Sequence, residues 1–132
     1  MSTVLFKDEW VTLTFDPASG LVRYTRSDVP YGDEANIERS YAGLRAVNLK
    51  IVPGMKLLLD VRLAPPRNDA AFEVQANAAL NALVKPFTKY ATLVRTAAGK
   101  LQTVRLARER GAEPHAFDDE RAALDYLGIV ST

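Results

Sequence analysis

The amino-acid sequence predicts an α/β domain in which a mixed β-sheet carries its helices mainly on one face. Three observations lead to this prediction. A β-rich segment near the N-terminus alternates and turns back on itself, a nearly continuous apolar segment of strand length lies mid-chain, and strands then alternate with helical patterns. Strands separated by helices are joined by right-handed crossovers, which makes the later part of the sheet parallel.

The bulk composition is that of a globular protein. The chain has 132 residues, so we expect residues 1–132 to form one domain with its core over about 10–128. The net charge of +1 gives no electrostatic reason to expect nucleic acid as a partner. Without cysteine there is no disulfide or thiolate metal site. The lack of a signal-like start or a long apolar run predicts a cytoplasmic protein without a membrane span.

Five segments have strand patterns. Residues 10–15 and 21–26 flank the turn-forming Asp16-Pro17-Ala18-Ser19-Gly20 and predict an N-terminal β-hairpin. The apolar run 56–62 predicts a strand buried on both faces. Further strands are expected at residues 90–95 and, as a minimal last strand, at residues 115–117.

Helical periodicity predicts two helices before residue 86. The first runs from about Asp33 to Val52 and ends at Pro53-Gly54; the second runs from about Asp69, its N-cap, to Val84. The predicted buried stripes are Ile37, Tyr41, Leu44, Val47 and Ile51 in the first helix, and Phe72, Ala76, Ala79, Leu80, Leu83 and Phe87 along the second.

Two more helices follow. The third is expected over residues 97–110, closed by Gly111, with Leu101, Val104 and Ala107 facing inward. The fourth is expected over residues 119–127, with Asp118 as its N-cap.

The element order and the closing sequence PHAFDDERAALDYLG carry a family resemblance. The hairpin, the buried strand LLLDV, the helix after a short loop and this ending together resemble the STAS domains, in particular their SpoIIAA-like branch. The likeness covers about Trp10 to Gly128. It implies a mixed sheet with helices mainly on one face, and a regulatory or binding module that is not a catalyst.

The family's regulatory junction differs in this chain. In anti-sigma factor antagonists of the family, a partner kinase phosphorylates a serine at the junction after the central strand, within a pattern close to Asp-Ser-x-Gly. This chain has Arg67-Asn68-Asp69-Ala70 instead, and no serine or threonine lies between Ser40 and Thr88. A Ser/Thr phosphoswitch in this connection is therefore excluded. We expect Asp69 to be an ordinary N-cap worth about 1 kcal/mol, in preference to a fixed phosphomimic.

Catalytic and metal-binding patterns are sparse. The single histidine, His115, lies in the short last strand, and no serine lies in a nucleophile elbow. Capping explains the acidic run at residues 118–120. The sequence therefore predicts a protein that is not an enzyme, with no catalytic residue, metal site or cofactor.

Arginines collect at the predicted carboxyl ends of two parallel strands. Ligands of open α/β sheets bind beyond these ends, where helix N-termini also present free N–H groups. A simpler alternative is that these arginines solvate the loops and pair with Asp60 or Asp69. The candidate ligand or partner contacts are Arg62, Arg67, Asn68, Asp69, Arg95 and Thr96.

The leading functional hypothesis is a non-enzymatic regulatory or scaffolding module that acts through protein–protein contacts. The alternative is a small-ligand binder, for a lipid or for a nucleotide or other anion, that uses the strand-end arginines and the space under the first helix. The basic residues Arg105, Arg108 and Arg110 are expected to be a solvated face, with an acidic partner as the alternative. A homodimer would need an exposed apolar patch, for which the candidates are Phe6, Trp10, Tyr31 and Tyr41.

Overall fold

The computed structural model describes residues 2–47, 54–67 and 69–129. Six strands form one sheet in the order β1-β2-β3-β4-β5-β6, antiparallel from β1 to β3 and parallel from β3 to β6. The predicted mixed α/β sheet is confirmed. The elements are β1 (Thr3–Lys7), β2 (Val11–Asp16), β3 (Leu21–Arg26), α1 (Glu34–Arg45), β4 (Lys56–Asp60), α2 (Ala70–Val84), β5 (Lys89–Leu93), α3 (Ala97–Glu109), β6 (Ala116–Phe117) and α4 (Glu120–Leu127).

The predicted hairpin is the β2–β3 pair. Its register runs from Val11 opposite Arg26 to Asp16 opposite Leu21. In the turn, the Asp16 carboxylate accepts hydrogen bonds from the backbone N–H of Ala18 and the hydroxyl of Ser19, each at 3.0 Å. The turn-forming residues of the sequence therefore form the predicted turn between β2 and β3.

The sequence did not predict β1. This edge strand pairs with β2 through a register shift between Val4 and Phe6, so its alternation is interrupted. Its Phe6 ring packs on α1 at Gly43, where a Cβ would lie 2.6 Å from a ring carbon. Only glycine permits this approach, which fastens the edge strand to the helix.

The sheet separates two apolar cores. Because successive strand residues point to opposite faces, Leu57 and Leu59 pack on the α1/α2 face and Leu58 packs on the α4 face. All three are buried, which confirms that β4 is covered on both sides. On the α4 face, Leu58 packs in a cluster that includes Leu93 and Leu127.

The helices of the α1/α2 face differ from the predictions in detail. The α1 helix ends at Arg45 with Ala46 as its C-cap, so Val47 lies beyond it, while Ile51, Val52 and Pro53 lie outside the described residues. Within α2 only Ala76 and Val84 are buried, and the stripe residues Phe72, Ala79, Leu80 and Leu83 are partly buried.

The predicted inward face of α3 was partly wrong. Leu101 is 72% exposed, whereas Leu106 and Ala107 are buried. The C-terminal half of α3 packs beside α2, where Asn77 donates a hydrogen bond to the Leu106 carbonyl at 3.2 Å. The N-terminal half is held to α2 by a polar contact instead, in which Gln102 donates to the Glu73 carboxylate at 3.0 Å.

The N-cap of α4 is Asp119, one residue later than predicted. Its carboxylate accepts from the backbone N–H of Ala122 at 3.2 Å, which sets the first turn. Gly128, at a φ of 76°, ends α4 in the left-handed conformation that favours glycine. None of the helices in the described ranges is long and apolar enough to cross a membrane.

Candidate functional site

A cleft of about 1050 Å³ opens between α2 and α3 above the α1/α2 face of the sheet. Its apolar lining includes Leu59 and Val94 from the sheet side and Phe72 from α2. A second apolar pocket of about 680 Å³ lies between α1 and α2. Tyr24, Tyr41 and Leu80 line both spaces, so the two cavities adjoin.

The composition of α2 explains the open space. The helix reads AAFEVQANAALNALV, with apolar residues around its whole circumference and six alanines among its fifteen residues. Alanine is too short to fill the gap between a helix and a sheet. Apolar surface on both sides of α2 therefore faces cavities instead of core, and Val74 remains 71% exposed.

The lining of the cleft between α2 and α3 is strongly cationic. Seven arginines line it against one carboxylate, that of Glu109. Nearby carboxylates pair with three of these arginines, and the other four have no carboxylate partner among the described residues. The paired ones are Arg62, Arg67 and Arg105; the others are Arg26, Arg95, Arg108 and Arg110.

The Arg62 side chain pairs with carboxylates of the α4 face. Its guanidinium donates to the Asp60 carboxylate at 3.0 and 2.8 Å and to Glu120 at 3.0 Å. Arg23 approaches the same two carboxylates at 3.3 Å each. These four residues are called the α4 charge cluster below. The pairing with Asp60 is the simpler alternative that the sequence left open.

The α4 charge cluster holds Asp60 ionised. Burial alone would raise the pKa of this carboxyl, whose side chain is only 9% exposed. The hydrogen bonds from Arg62 and the charges of Arg62 and Arg23 outweigh that effect, so the pKa lies below its ordinary value. The cluster joins β3, β4 and α4 electrostatically.

Arg67 and Asp69 form a local pair at the start of α2. Arg67 Nε donates to the Asp69 carboxylate at 2.6 Å, and its guanidinium lies 5.2 Å from the centroid of the Phe72 ring. Asp69 also accepts from the Phe72 backbone N–H at 3.1 Å, which confirms it as the N-cap. The remaining candidate of this loop, Asn68, lies outside the described residues.

Arg95 and Thr96 follow β5 at the mouth of the cleft. Thr96 is the N-cap of α3, since its hydroxyl accepts from the Gly99 backbone N–H at 3.0 Å. Arg95 is exposed. Arg62, Arg67, Arg95 and Thr96 therefore meet at one cleft, as expected, but two of the three arginines are already neutralised.

Sequence reasoning missed the most deeply buried arginine of the cleft. Arg26, at the end of β3, is only 5% exposed. Its Nη1 donates to the Ser27 carbonyl at 2.6 Å, and its guanidinium lies 4.3 Å from the Tyr31 ring centroid. Val22, Tyr24 and Arg26 share one face of an alternating strand. A charge on this apolar face was the signal that could have found it.

Two tyrosines complete this corner. Tyr24 and Tyr41 are buried, and burial, followed by the neighbouring Tyr31, raises the pKa of each hydroxyl above its ordinary value. Both hydroxyls stay protonated and can donate hydrogen bonds. We call Arg26, Tyr24, Tyr31 and Tyr41 the Arg26–tyrosine corner.

The N-terminal aromatic residues do not form the exposed patch that a homodimer was expected to use. Trp10, Tyr31 and Tyr41 are 4%, 5% and 8% exposed, and Phe6 is partly buried. Three of them belong to the core of the α1/α2 face, where Tyr31 contacts the rings of both Trp10 and Tyr41. This basis for self-association is therefore wrong.

His115 lies at the opposite edge of the sheet, next to β6. Its ring stacks on Tyr126 with centroids 4.7 Å apart, and Nε2 lies 3.1 Å from the Tyr126 hydroxyl. The ring of His115 is therefore packed between aromatic neighbours at this edge. Within the described ranges, no group of three or more histidine, cysteine or acidic residues could hold a metal ion.

The fold has a counterpart among solved structures. A crystal structure of an uncharacterised protein of the DUF3478 family from Shewanella loihica PV-4, described as having a SpoIIAA-like fold, superposes with a TM-score of 0.56. The chain has a SpoIIAA-like fold. The alignment covers 96% of this chain and 92% of the other at 15% sequence identity, so the SpoIIAA-like likeness is one of architecture. No protein-family model and no curated protein matches the sequence.

Proposed function

We propose that this SpoIIAA-like protein is a small-ligand-binding module, with the cleft between α2 and α3 as its binding site. The observation that carries the proposal is the unfilled apolar space of about 1050 Å³ lined by seven arginines and one carboxylate. Ligand pockets are concave, mostly apolar and edged by a few polar groups. The second pocket, of about 680 Å³, extends this space beneath α1.

Binding, and not catalysis, is the activity that the lining supports. Among the described residues that line the cleft there is no histidine or serine, and Glu109 is the only carboxylate. The hydroxyl groups of the lining belong to tyrosines and threonines, and no histidine or second carboxylate among the described lining residues stands beside them as an acid or base partner. The protein-contact module favoured by the sequence remains a prediction, as does the cytoplasmic location.

The cleft can be tested with a neutral apolar fluorophore, phenylnaphthylamine, titrated into the purified protein. Ala76 lines the cleft and is buried, so Ala76→Leu adds bulk directly to the site. We expect it to weaken binding by about fivefold or more, because overpacking costs ~1 kcal/mol or more. Ala71→Leu, on an exposed position of α2 outside the lining, is the matched control and should change binding by less than about twofold.

Equal affinity of the two variants for phenylnaphthylamine would contradict the proposal. Native mass spectrometry of freshly purified protein adds a second measurement. We expect a bound small molecule in the spectrum of the wild type and a smaller bound fraction in that of Ala76→Leu.

A further inference from the structure

The Arg26–tyrosine corner carries an inference that rests on the proposed function and deepens it. We propose that the ligand is an amphipathic anion whose anionic head pairs with Arg26 and whose apolar body lies along α2. The head is a carboxylate, sulfonate or phosphate group.

The charge of Arg26 is the first step. Arg26 is 5% exposed as a residue, so its guanidinium has lost much of its hydration, which is unfavourable unless an anion replaces it. Among the described residues no carboxylate lies within ion-pair distance of Arg26, and its hydrogen bonds go from Nη1 to Ser27. Nε and Nη2 have no hydrogen-bond acceptor in the described part of the chain. A bound anion would supply both the missing charge and the missing acceptors.

The Arg26 side chain faces the cleft. Arg26 lines the cleft, as do Tyr24, Tyr31 and Tyr41. The Tyr31 ring centroid lies 4.3 Å from the guanidinium carbon, a cation–π contact that uses no N–H group of Arg26. The protonated hydroxyls of Tyr24 and Tyr41 are further donors in the same corner, and phenols cannot neutralise the arginine.

The neighbouring apolar space is the third step. Tyr24 and Tyr41 line the pocket between α1 and α2 as well as the cleft, and Leu80 separates the two along α2. A ligand whose head lies at Arg26 therefore has apolar surface on either side of α2 within reach. A free inorganic anion would leave this surface uncovered, which is why an apolar body belongs to the ligand.

Two further arginines add positive charge at the entrance of the cleft. Arg95 and Arg108 are exposed arginines of the same lining without a carboxylate partner among the described residues. They raise the positive potential of the entrance and draw anions toward it. Their exposure keeps them hydrated, so they steer the ligand, whereas Arg26 gains the most from direct pairing.

A matched pair of probes tests the inference. Anilinonaphthalene sulfonate and phenylnaphthylamine share the same aromatic body and differ in one sulfonate. In Arg26→Met we expect sulfonate binding to weaken by about tenfold or more and phenylnaphthylamine binding to change by less than about threefold, since a buried charge pair is lost and the apolar walls remain. Arg26→Lys should retain most of the sulfonate affinity. Arg95→Met removes an exposed charge at the entrance and should weaken sulfonate binding by less than about threefold, well below the loss in Arg26→Met.

Two results would overturn the inference. These are an unchanged ratio of the two affinities in Arg26→Met, and the same sulfonate loss in Arg95→Met as in Arg26→Met. Failure of the proposed function looks different, because phenylnaphthylamine would then bind Ala76→Leu and Ala71→Leu equally.

A measurement on the wild type keeps the inference testable if the Arg26 variants do not fold. Decanoate and decanol are titrated as competitors against bound phenylnaphthylamine. Apolar burial alone favours decanol, because the alcohol is uncharged. Pairing with Arg26 predicts that decanoate displaces the fluorophore at the lower concentration, and the reverse order would overturn the inference.

Discussion

The two faces of the sheet are packed in different ways. On one face, α4 buries Ala123, Leu124 and Leu127 within eight residues and is joined to the strands by the α4 charge cluster. On the other face, α2 has fifteen residues and buries Ala76 and Val84, with open apolar space along both of its sides. The α1/α2 face holds the larger cluster of buried residues, contributed mainly by the strands and α1, so its open space is confined to the surroundings of α2. A close-packed region and a region with unfilled apolar space therefore lie on the same face.

The largest expected effect contrasts two leucines. Leu58 is fully buried on the α4 face, whereas Leu80 lines both cavities and is partly buried. We expect Leu58→Ala to lower the free energy of unfolding by about 3 kcal/mol and Leu80→Ala by about 1 kcal/mol, because a residue beside open space loses fewer contacts. Chemical denaturation monitored by circular dichroism measures both. Equal losses would mean that the two faces are packed alike.

The next effect is the acid sensitivity of the α4 face. Because the pKa of Asp60 lies below its ordinary value of 3.8, its ionised form is stabilised by folding. That contribution is complete above the ordinary value and is lost as the pH falls through the lower value of the folded state. We expect Asp60→Asn to cost about 2 kcal/mol at pH 7, since hydrogen bonds to two arginines are weakened. Its stability should also fall less than that of the wild type below about pH 4.

Asp69→Asn is the control for this acid effect, because asparagine keeps the N-cap of α2. The pKa of Asp69 is also lowered, chiefly by its hydrogen bond from Arg67, but this exposed carboxylate is screened by solvent. Denaturation curves at several pH values give the free energy of unfolding as a function of pH, and Asp60→Asn should alter this pH dependence more than Asp69→Asn does. If Asp60→Asn lost stability more steeply in acid than the wild type, the role given to Asp60 would be refuted.

The smallest expected effect is a difference in stability between variants of the two strand-end arginines. Arg62 has two carboxylate partners, and Arg95 has none among the described residues. We expect Arg62→Ala to cost about 1 kcal/mol of stability and Arg95→Ala less than about 0.5 kcal/mol. Thermal unfolding of the two variants provides the comparison. A greater loss for Arg95→Ala would reverse the roles assigned to them.

The architecture could be predicted because its signals are local. Alternation at residues 10–15 and 21–26, the apolar run before Arg62 and the caps of the helices each fix an element within a few residues. The edge strand β1 could not be predicted, because TVLFK is short and its pairing with β2 shifts register at the bulge. Which side of α3 faces inward depends on the position of α2 beside it, and a sequence pattern alone does not give the position of a neighbouring helix.

The grouping of the strand-end arginines could be predicted from their places in the sequence. Arg62, Arg67 and Arg95 each lie at or near the carboxyl end of a parallel strand, and all three line one cleft. The pairings of Arg62 with Asp60 and of Arg67 with Asp69 are local, and the sequence offered both as an alternative. The second partner of Arg62, Glu120, lies 58 residues further along the chain and could not be predicted.

Arg26 lies in the hairpin, to which the rule about the ends of parallel strands was not applied. The alternation of β3 nevertheless places Arg26 on the same face as the buried Val22 and Tyr24.

The strand order β1-β2-β3-β4-β5-β6 has a consequence for how the chain is made. Each strand pairs with the one synthesised just before it, so the sheet can grow at one edge as the polypeptide leaves the ribosome. The α4 face, however, stays uncovered until its helix, the last element, has emerged. Leu58, Ala91 and Leu93 are an exposed apolar strip on the nascent sheet up to that moment. The docking of α4 is therefore the step that removes this apolar strip from water.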